Sequence, residues 1–103
     1  MLERLYVFKE RKEVTSFLEE CPFLIPLLLE AHYEIEQHFS PSQVFLEVIT
    51  DPEETNSTQL LASIATGLDP DEALDRLERF DEEWWLDALA GARGKLCIDV
   101  EFR

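Results

Sequence analysis

The sequence contains one cluster of histidine and carboxylate side chains, between positions 32 and 38. His32 and Glu36, and likewise Glu34 and His38, are four residues apart, so each pair lies on one side of a helix. The HExxH and ExxH spacings that arrange zinc or di-iron ligands are absent, and the two pairs lie on different sides of the helix. We therefore expect a packed or capped His38, no metal site and no cofactor.

Asp81 has several interpretations. On a continuous helix from Asp71 to Ala90 it falls among the apolar positions, where a carboxylate needs a partner or acquires a raised pKa. Followed by Glu82 and Glu83, it also fits the N-cap of a second short helix, which would remove it from the core. We expect the N-cap; an exposed or paired side chain and a catalytic acid are the alternatives.

The charge of the chain is concentrated in its middle. The chain has 23 Asp and Glu against 9 Lys and Arg, a net charge of −14. Residues 13–75 hold fourteen acidic residues and no Lys or Arg, while the flanking segments cancel. Binding to a phosphate backbone needs Lys and Arg that displace counterions, so we expect no direct contact with nucleic acid or with anionic membranes. A basic protein, in contrast, would be attracted.

Four aromatic and apolar positions are candidates for contact with a protein partner. Adjacent residues on a helix point about 100° apart, so Trp84 and Trp85 cannot both face one narrow core stripe. Either one is exposed, where tryptophan is typical of binding hot spots, or neighbouring loops cover both. Leu29 and Tyr33 form a pair outside the main apolar arc of their helix, which predicts self-association.

Hydrophobic periodicity predicts the element order α-α-β-β-α-β. Residues 2–8 fit either a short strand or an extension of the first helix, and residues 60–65 fit a strand or a short helix. Asp69, Pro70 and Glu72 predict a capping box at the start of the third helix. The predicted elements are helices at 10–20, from Pro26 to Phe39 and after Asp69, and strands at 44–49, 60–65 and 96–102.

These elements predict one α+β domain spanning residues 1–103. We expect two layers, with the helices on one face of a small, mainly antiparallel three-stranded sheet in the spatial order 2-1-3. On the other face, Glu47, Asp99 and Glu101 would project outwards beside Phe45, Ile49 and Leu61, and are further candidates for contact with a partner.

The sequence predicts a cytoplasmic location. The first thirteen residues lack the apolar stretch of a signal peptide, and the longest apolar run, from Pro22 to Leu29, is too short to span a bilayer. Cys21 and Cys97 show no CxxC spacing, which indicates two reduced thiols. We expect no membrane partner.

Three segments resemble a family of small acidic bacterial proteins of unknown function that is frequent in cyanobacteria: FLEVITDPEE (45–54), DPDEALDRLERFDEEWWLDAL (69–89) and KLCIDVEFR (95–103). The resemblance covers most of the chain from about residue 14. It implies a cytosolic bacterial protein, and it carries no activity, cofactor or binding residue.

Taken together, these features predict a non-enzymatic cytoplasmic protein that self-associates as a homodimer and binds a basic protein through an acidic face. One alternative is a small enzyme or metal-binding protein that uses Glu47, Asp99 and Glu101 or the helix with His32 and His38. The other is a plain globular domain whose acidity serves solubility alone.

Overall fold

A computed structural model of the chain describes residues 2–39, 43–50 and 58–102. The elements, in chain order, are α1 (Leu2–Leu5), β1 (Val7–Phe8), α2 (Arg11–Glu20), α3 (Leu24–Phe39), β2 (Gln43–Thr50), β3 (Thr58–Thr66), α4 (Pro70–Phe80), a π-helical turn (Asp81–Trp85), α5 (Leu86–Ala92) and β4 (Leu96–Phe102). The predicted α+β class is confirmed. The acidic segment at 51–54 lies outside the described residues.

The four strands form one mixed sheet in the order β1-β2-β3-β4. β2 and β3 are antiparallel, whereas β1 runs parallel to β2 and β4 runs parallel to β3. The predicted three-stranded, mainly antiparallel sheet in the order 2-1-3 is therefore wrong in its details. The physical reason is that Val7 and Phe8 pair with the edge of β2 that the prediction had assigned to the last strand, so β4 pairs with the free edge of β3.

Residues 2–8 combine two short elements, and a buried tyrosine between them anchors this segment. Tyr6 is 2% exposed, and its hydroxyl donates a 2.6 Å hydrogen bond to the backbone oxygen of Leu28 on α3. Burial raises the pKa of the Tyr6 phenol far above its ordinary value. The bond fixes the entry of β1 into the sheet relative to α3.

The core lies between the helices and one face of the sheet. Alternate residues of β2 and β3 point into it, as the period of two predicts. From α3, the buried positions recur every three or four residues, which is the spacing of one helical face. The buried residues of β2, β3 and α3 that form this core are Val44, Leu46, Leu60, Ala62, Ile64, Leu24, Leu28, Ala31, Ile35 and Phe39.

The helical segment from Pro70 to Ala92 has no break at Asp81. Asp81 has right-handed helical backbone angles, and the N–H of Leu86 bonds to its carbonyl five residues back, the spacing of a π turn. The prediction that Asp81 caps a second helix is therefore wrong. The first helix does not end at this position but continues through a turn that contains one additional residue. At the other end, Asp69 stands at the N-cap position and Pro70 begins the helix, but Asp69 makes no side-chain cap bond and the Glu72 carboxylate pairs with Arg76. The predicted start of the helix is therefore confirmed, while the capping box is not formed.

Candidate protein-binding surfaces

The outer flank of α3 carries a line of exposed apolar side chains. Leu29 and Tyr33, predicted to lie outside the main apolar arc, are 37% and 61% exposed, and Ile25 extends the same line one turn towards the N-terminus of the helix at 38%. Residues four apart on a helix are neighbours on its surface, so the three form one stripe. This stripe, Ile25, Leu29 and Tyr33, is called the α3 stripe below.

Trp84 and Trp85 are both buried, at 8% and 7% exposure. Their rings lie 5.7 Å apart, and the Trp84 ring lies 5.5 Å from that of Phe80. The second sequence interpretation, in which both rings are covered, is thus the one observed. Neither indole contributes an exposed apolar patch. The wide π turn lets consecutive residues share the core, which regular helix geometry does not predict.

A groove of about 350 Å³ lies between α3 and α5. Its apolar lining comes from both helices, and Gly91 leaves open space where another residue would place a Cβ. Its acidic lining comes from one residue of α3, one of the π turn and one of α5. The lining residues are Leu27, Glu30, Glu83, Trp84, Asp87, Ala88 and Gly91.

Two of the three groove carboxylates are oriented by neutral or weakly basic groups of the protein. The indole N–H of Trp84 donates a 2.8 Å hydrogen bond to Glu30, and His38 Nε2 lies 3.1 Å from a Glu83 carboxylate oxygen. Within the described part of the chain, no Lys or Arg forms an ion pair with Glu30, Glu83 or Asp87. The groove thus holds three carboxylates, and no lysine or arginine of the described residues pairs with them.

His38 joins α3 to the π turn. Its Nδ1 lies 2.9 Å from the backbone oxygen of Glu34 and its ring packs edge-on against Phe80, as expected for a packed or capped histidine. The Glu34 carbonyl and the Glu83 carboxylate are both acceptors, so the imidazole donates both bonds only when each nitrogen carries a proton. The contact brings His38 and the Glu83 carboxylate together at the edge of the groove.

No metal centre forms around the histidine and carboxylate cluster in the part of the chain that the structure describes. His32 pairs with Glu36 at 3.1 Å, while His38 turns towards Glu83 on another element. Among the described residues there is no group of three or more His, Cys, Asp or Glu side chains placed to hold a metal ion.

The face of the sheet opposite the core carries the other predicted contact residues. Glu47 lies on β2, while Asp99 and Glu101 lie on β4, with β3 between them. Glu47 is therefore two strand spacings, or roughly 10 Å, away from β4. These carboxylates do not converge on one site. On the same face, Lys9 lies over the Phe45 ring, 5.3 Å from its centroid. The face therefore mixes both signs of charge.

Asp81 lies close enough to Asp99 for the two carboxylates to interact electrostatically. Partial burial, together with the nearby Asp99 carboxylate, raises the pKa of Asp81 above its ordinary value. Burial, and again Asp99, raise the pKa of the Cys97 thiol, which donates a 3.2 Å hydrogen bond to Gln59. A thiol whose pKa is raised is a poor nucleophile, so Cys97 does not point to covalent catalysis.

No family model, curated protein or solved structure matches the chain. The resemblance to small acidic bacterial proteins therefore stays a prediction. Among the described residues, none of the helices is both long and apolar enough to cross a membrane.

The groove was not predicted from the sequence, although part of its signal was present. Leu27, Glu30, Glu34 and His38 recur every three or four residues, so they lie along one flank of α3. Their partners on the π turn and α5 depend on the widened turn. Sequence spacing alone does not place Glu83 and Asp87 opposite Glu30.

Proposed function

We propose that this protein is a non-enzymatic binding protein that takes up a basic segment of another protein in the groove between α3 and α5. The observation that carries the proposal is the convergence of Glu30, Glu83 and Asp87 around an apolar lining, without a lysine or arginine of the described residues paired to them. The cytoplasmic location expected from the N-terminal sequence belongs to the same proposal and rests on the sequence alone.

The lining of the groove fits the two parts of a lysine or arginine side chain. The aliphatic stem of such a side chain packs on apolar surface while its charged head stays near water, and Leu27 and Ala88 provide that surface. The head then reaches carboxylates on both walls. Charge-assisted hydrogen bonds of this kind are roughly twice as strong as neutral ones.

Glu30 is already oriented for this role. Its hydrogen bond from the Trp84 indole holds one carboxylate oxygen, so less rotamer freedom is lost when a cation binds the other. The nearest cation along the chain after α5, Arg93, instead lies over the Phe23 ring, 4.7 Å from its centroid. That stacking leaves the groove carboxylates available to a partner.

The charge distribution supports recognition of a basic partner at a distance. Residues 13–75 carry fourteen acidic residues and no Lys or Arg, and they include the whole of α3. A surface of one sign speeds the encounter with an oppositely charged protein, and the effect falls as salt shortens the range of the field. Binding of the basic partner should therefore weaken with rising salt.

Calorimetric titration with a nonameric arginine peptide tests the proposal. The groove variant combines Glu30→Gln, Glu83→Gln and Asp87→Asn; glutamine at position 30 keeps an oxygen that accepts the Trp84 N–H. The matched control combines three acidic residues outside the groove: Glu19→Gln, Asp71→Asn and Glu78→Gln. Both variants raise the net charge by the same three units.

We expect the groove variant to bind the peptide about ten-fold more weakly, because three exposed ion pairs of about 0.5 kcal/mol each sum to about 1.5 kcal/mol, and about 1.4 kcal/mol corresponds to ten-fold. The control should stay within about two-fold of the wild type, since it alters only the long-range field. Equal losses in both variants would show that diffuse charge, and not the groove, binds the peptide, and the proposal would then be wrong.

A further inference from the structure

The α3 stripe is the longest line of exposed apolar side chains on a single helix among the described residues. Ile25, Leu29 and Tyr33 span nine residues, which is about 12 Å along the helix axis. The stripe lies on a different flank of α3 from Leu27 and Glu30, because positions 25, 29 and 33 and positions 27 and 30 fall on separate sides of a 3.6-residue turn. A partner on the stripe therefore leaves the groove open.

We propose that the α3 stripe binds the α3 stripe of a second copy of this chain, with the two helices antiparallel and the two-fold axis near Leu29. Self-pairing of one patch across a two-fold axis is the commonest form of homodimer. This arrangement places Tyr33 of each copy beside Ile25 of the other and Leu29 beside its own counterpart.

The charge pattern along α3 sets the antiparallel direction. From Leu24 to Leu29 the helix has no charged residue, whereas Glu36 lies in its second half and on the side of the stripe, three residues after Tyr33. A parallel pair would place Glu36 beside its own copy, and like charges across an interface cost free energy. In the antiparallel pair Glu36 of each helix lies beside the uncharged half of the other.

The helix dipole favours the same direction. Glu36 follows Tyr33 by three residues, so in the antiparallel pair it lies near the N-terminal end of the partner helix, where the dipole favours a negative charge. The first turn of α3 has no acidic residue that already meets this preference. The uncharged end of the stripe and the end that carries Glu36 are thus complementary to each other.

The stripe is small, so the dimer should be weak. Three side chains per copy are far fewer than the roughly 20–30 residues per side of a stable interface. A dissociation constant on the order of 0.1 mM is therefore expected. Each copy carries a net charge of −14, and salt screens the repulsion between copies. Dimerisation should therefore strengthen with salt, whereas binding of a basic peptide in the groove should weaken.

Sedimentation equilibrium at rising protein concentration, in low and high salt, tests the dimer. We expect a reversible monomer–dimer equilibrium that shifts towards dimer in high salt. Leu29→Glu should remain monomeric at every concentration. Leu86→Glu is the matched control: Leu86 is a 60% exposed leucine on α5, and its variant adds the same charge away from the stripe. This control should dimerise like the wild type.

Disulfide trapping tests the direction of the helices. In a background with Cys21→Ser and Cys97→Ser, the antiparallel pair predicts that Leu29→Cys forms an oxidised dimer and that Tyr33→Cys alone does not. A mixture of Ile25→Cys and Tyr33→Cys chains should cross-link. A wild type that stays monomeric near 1 mM protein, equal loss of dimer in the two glutamate variants, or efficient trapping of Tyr33→Cys alone would overturn the proposal.

The two proposals fail separately. The dimer rests on Ile25, Leu29 and Tyr33, and peptide binding rests on the carboxylates of the groove. Leu29→Glu should leave the affinity for the arginine peptide within about two-fold of wild type, since the single added charge acts only through the screened long-range field. The groove variant should still sediment as a monomer–dimer equilibrium.

Discussion

The helical side of the molecule and the open face of the sheet differ in how their carboxylates and cations are arranged. On the helical side, Glu30, Glu83 and Asp87 surround a groove in which no Lys or Arg of the described residues pairs with them. On the open sheet face, Lys9 lies over Phe45, and the carboxylates of β2 and β4 stand apart. In the proposed binding mode, the position of the few cations, more than the total charge of −14, leaves the groove available to a basic partner.

Apolar side chains differ between the two regions in the same way. Tyr33 on α3 is 61% exposed, whereas on the open sheet face Val7 is 41% exposed and its neighbours Phe45 and Leu61 are half-buried. Charged side chains among the apolar ones, such as Glu47 and Asp99, protect an open sheet against association. Charge among the apolar side chains therefore disfavours association on the sheet face, whereas both proposed contacts lie on the helical side.

The largest expected effect concerns the floor of the groove. Trp84→Ala removes a buried ring that packs on Phe80 and that donates a hydrogen bond to Glu30. The free energy of unfolding should fall by about 3–5 kcal/mol. Chemical denaturation measures this change, and Tyr33→Ala on the exposed stripe is the control, with an expected change within about 0.5 kcal/mol. Similar losses of stability in both variants would contradict the distinction between a buried Trp84 and an exposed Tyr33.

A smaller effect is expected on the open sheet face. Lys9→Met keeps the aliphatic stem and removes the charge over the Phe45 ring. The free energy of unfolding should fall by about 0.5–1 kcal/mol, the usual value of an exposed cation–π contact. Lys12→Met is the control, because Lys12 is exposed and forms no cation–π contact with a ring of the described residues. If both variants lost the same stability, Lys9 would act through net charge rather than through Phe45.

The smallest effect lies where the two regions meet, at Asp81 and Asp99. The pKa of Asp81 is raised in the folded protein, so ionised Asp81 disfavours folding at neutral pH, and this cost disappears as pH falls through the folded pKa and below the unfolded one. Asp81→Asn should therefore be more stable than wild type at neutral pH, by less than about 1 kcal/mol.

Denaturation at several pH values checks this effect. The stability difference between Asp81→Asn and wild type should shrink as the pH falls below the ordinary carboxyl range. Asp81→Ala should not show the loss of about 0.5–2 kcal/mol expected for removal of a helix cap. A clear loss of stability in Asp81→Ala, together with unchanged stability in Asp81→Asn, would show that Asp81 caps a helix, contrary to the backbone geometry.

Much of the fold could be predicted from the sequence because its signals are local. The recurrence of Leu28, Ala31, Ile35 and Phe39 predicts the core face of α3, and the alternation from Leu96 to Phe102 predicts β4. The alternation of apolar and polar residues determines which side of a strand is buried, but it does not indicate which strands pair with it. The pairing of β4 with β3 depends on Val7 and Phe8 lying along β2, a contact between distant parts of the chain.

The candidate site shows the same limit. The exposure of Leu29 and Tyr33 follows from helical spacing, which places them away from the buried arc. The burial of both Trp84 and Trp85 does not follow from regular helical spacing, because both residues lie in a π turn, which has more residues per turn than an α-helix. Asp81, Glu82 and Glu83 resemble the start of a helix, so the sequence favours a break where the packed protein continues.

Nuclear magnetic resonance with uniformly ¹⁵N-labelled protein and the nonameric arginine peptide tests the central claim most directly, because it compares the two regions in one sample. The account predicts that the Trp84 indole signal and the backbone amides of Asp87 and Gly91 shift on titration, while those of Ser63 and Asp99 on the sheet stay unchanged. Shifts concentrated on the open sheet face, with an unperturbed Trp84 indole, would contradict the assignment of the groove as the binding site.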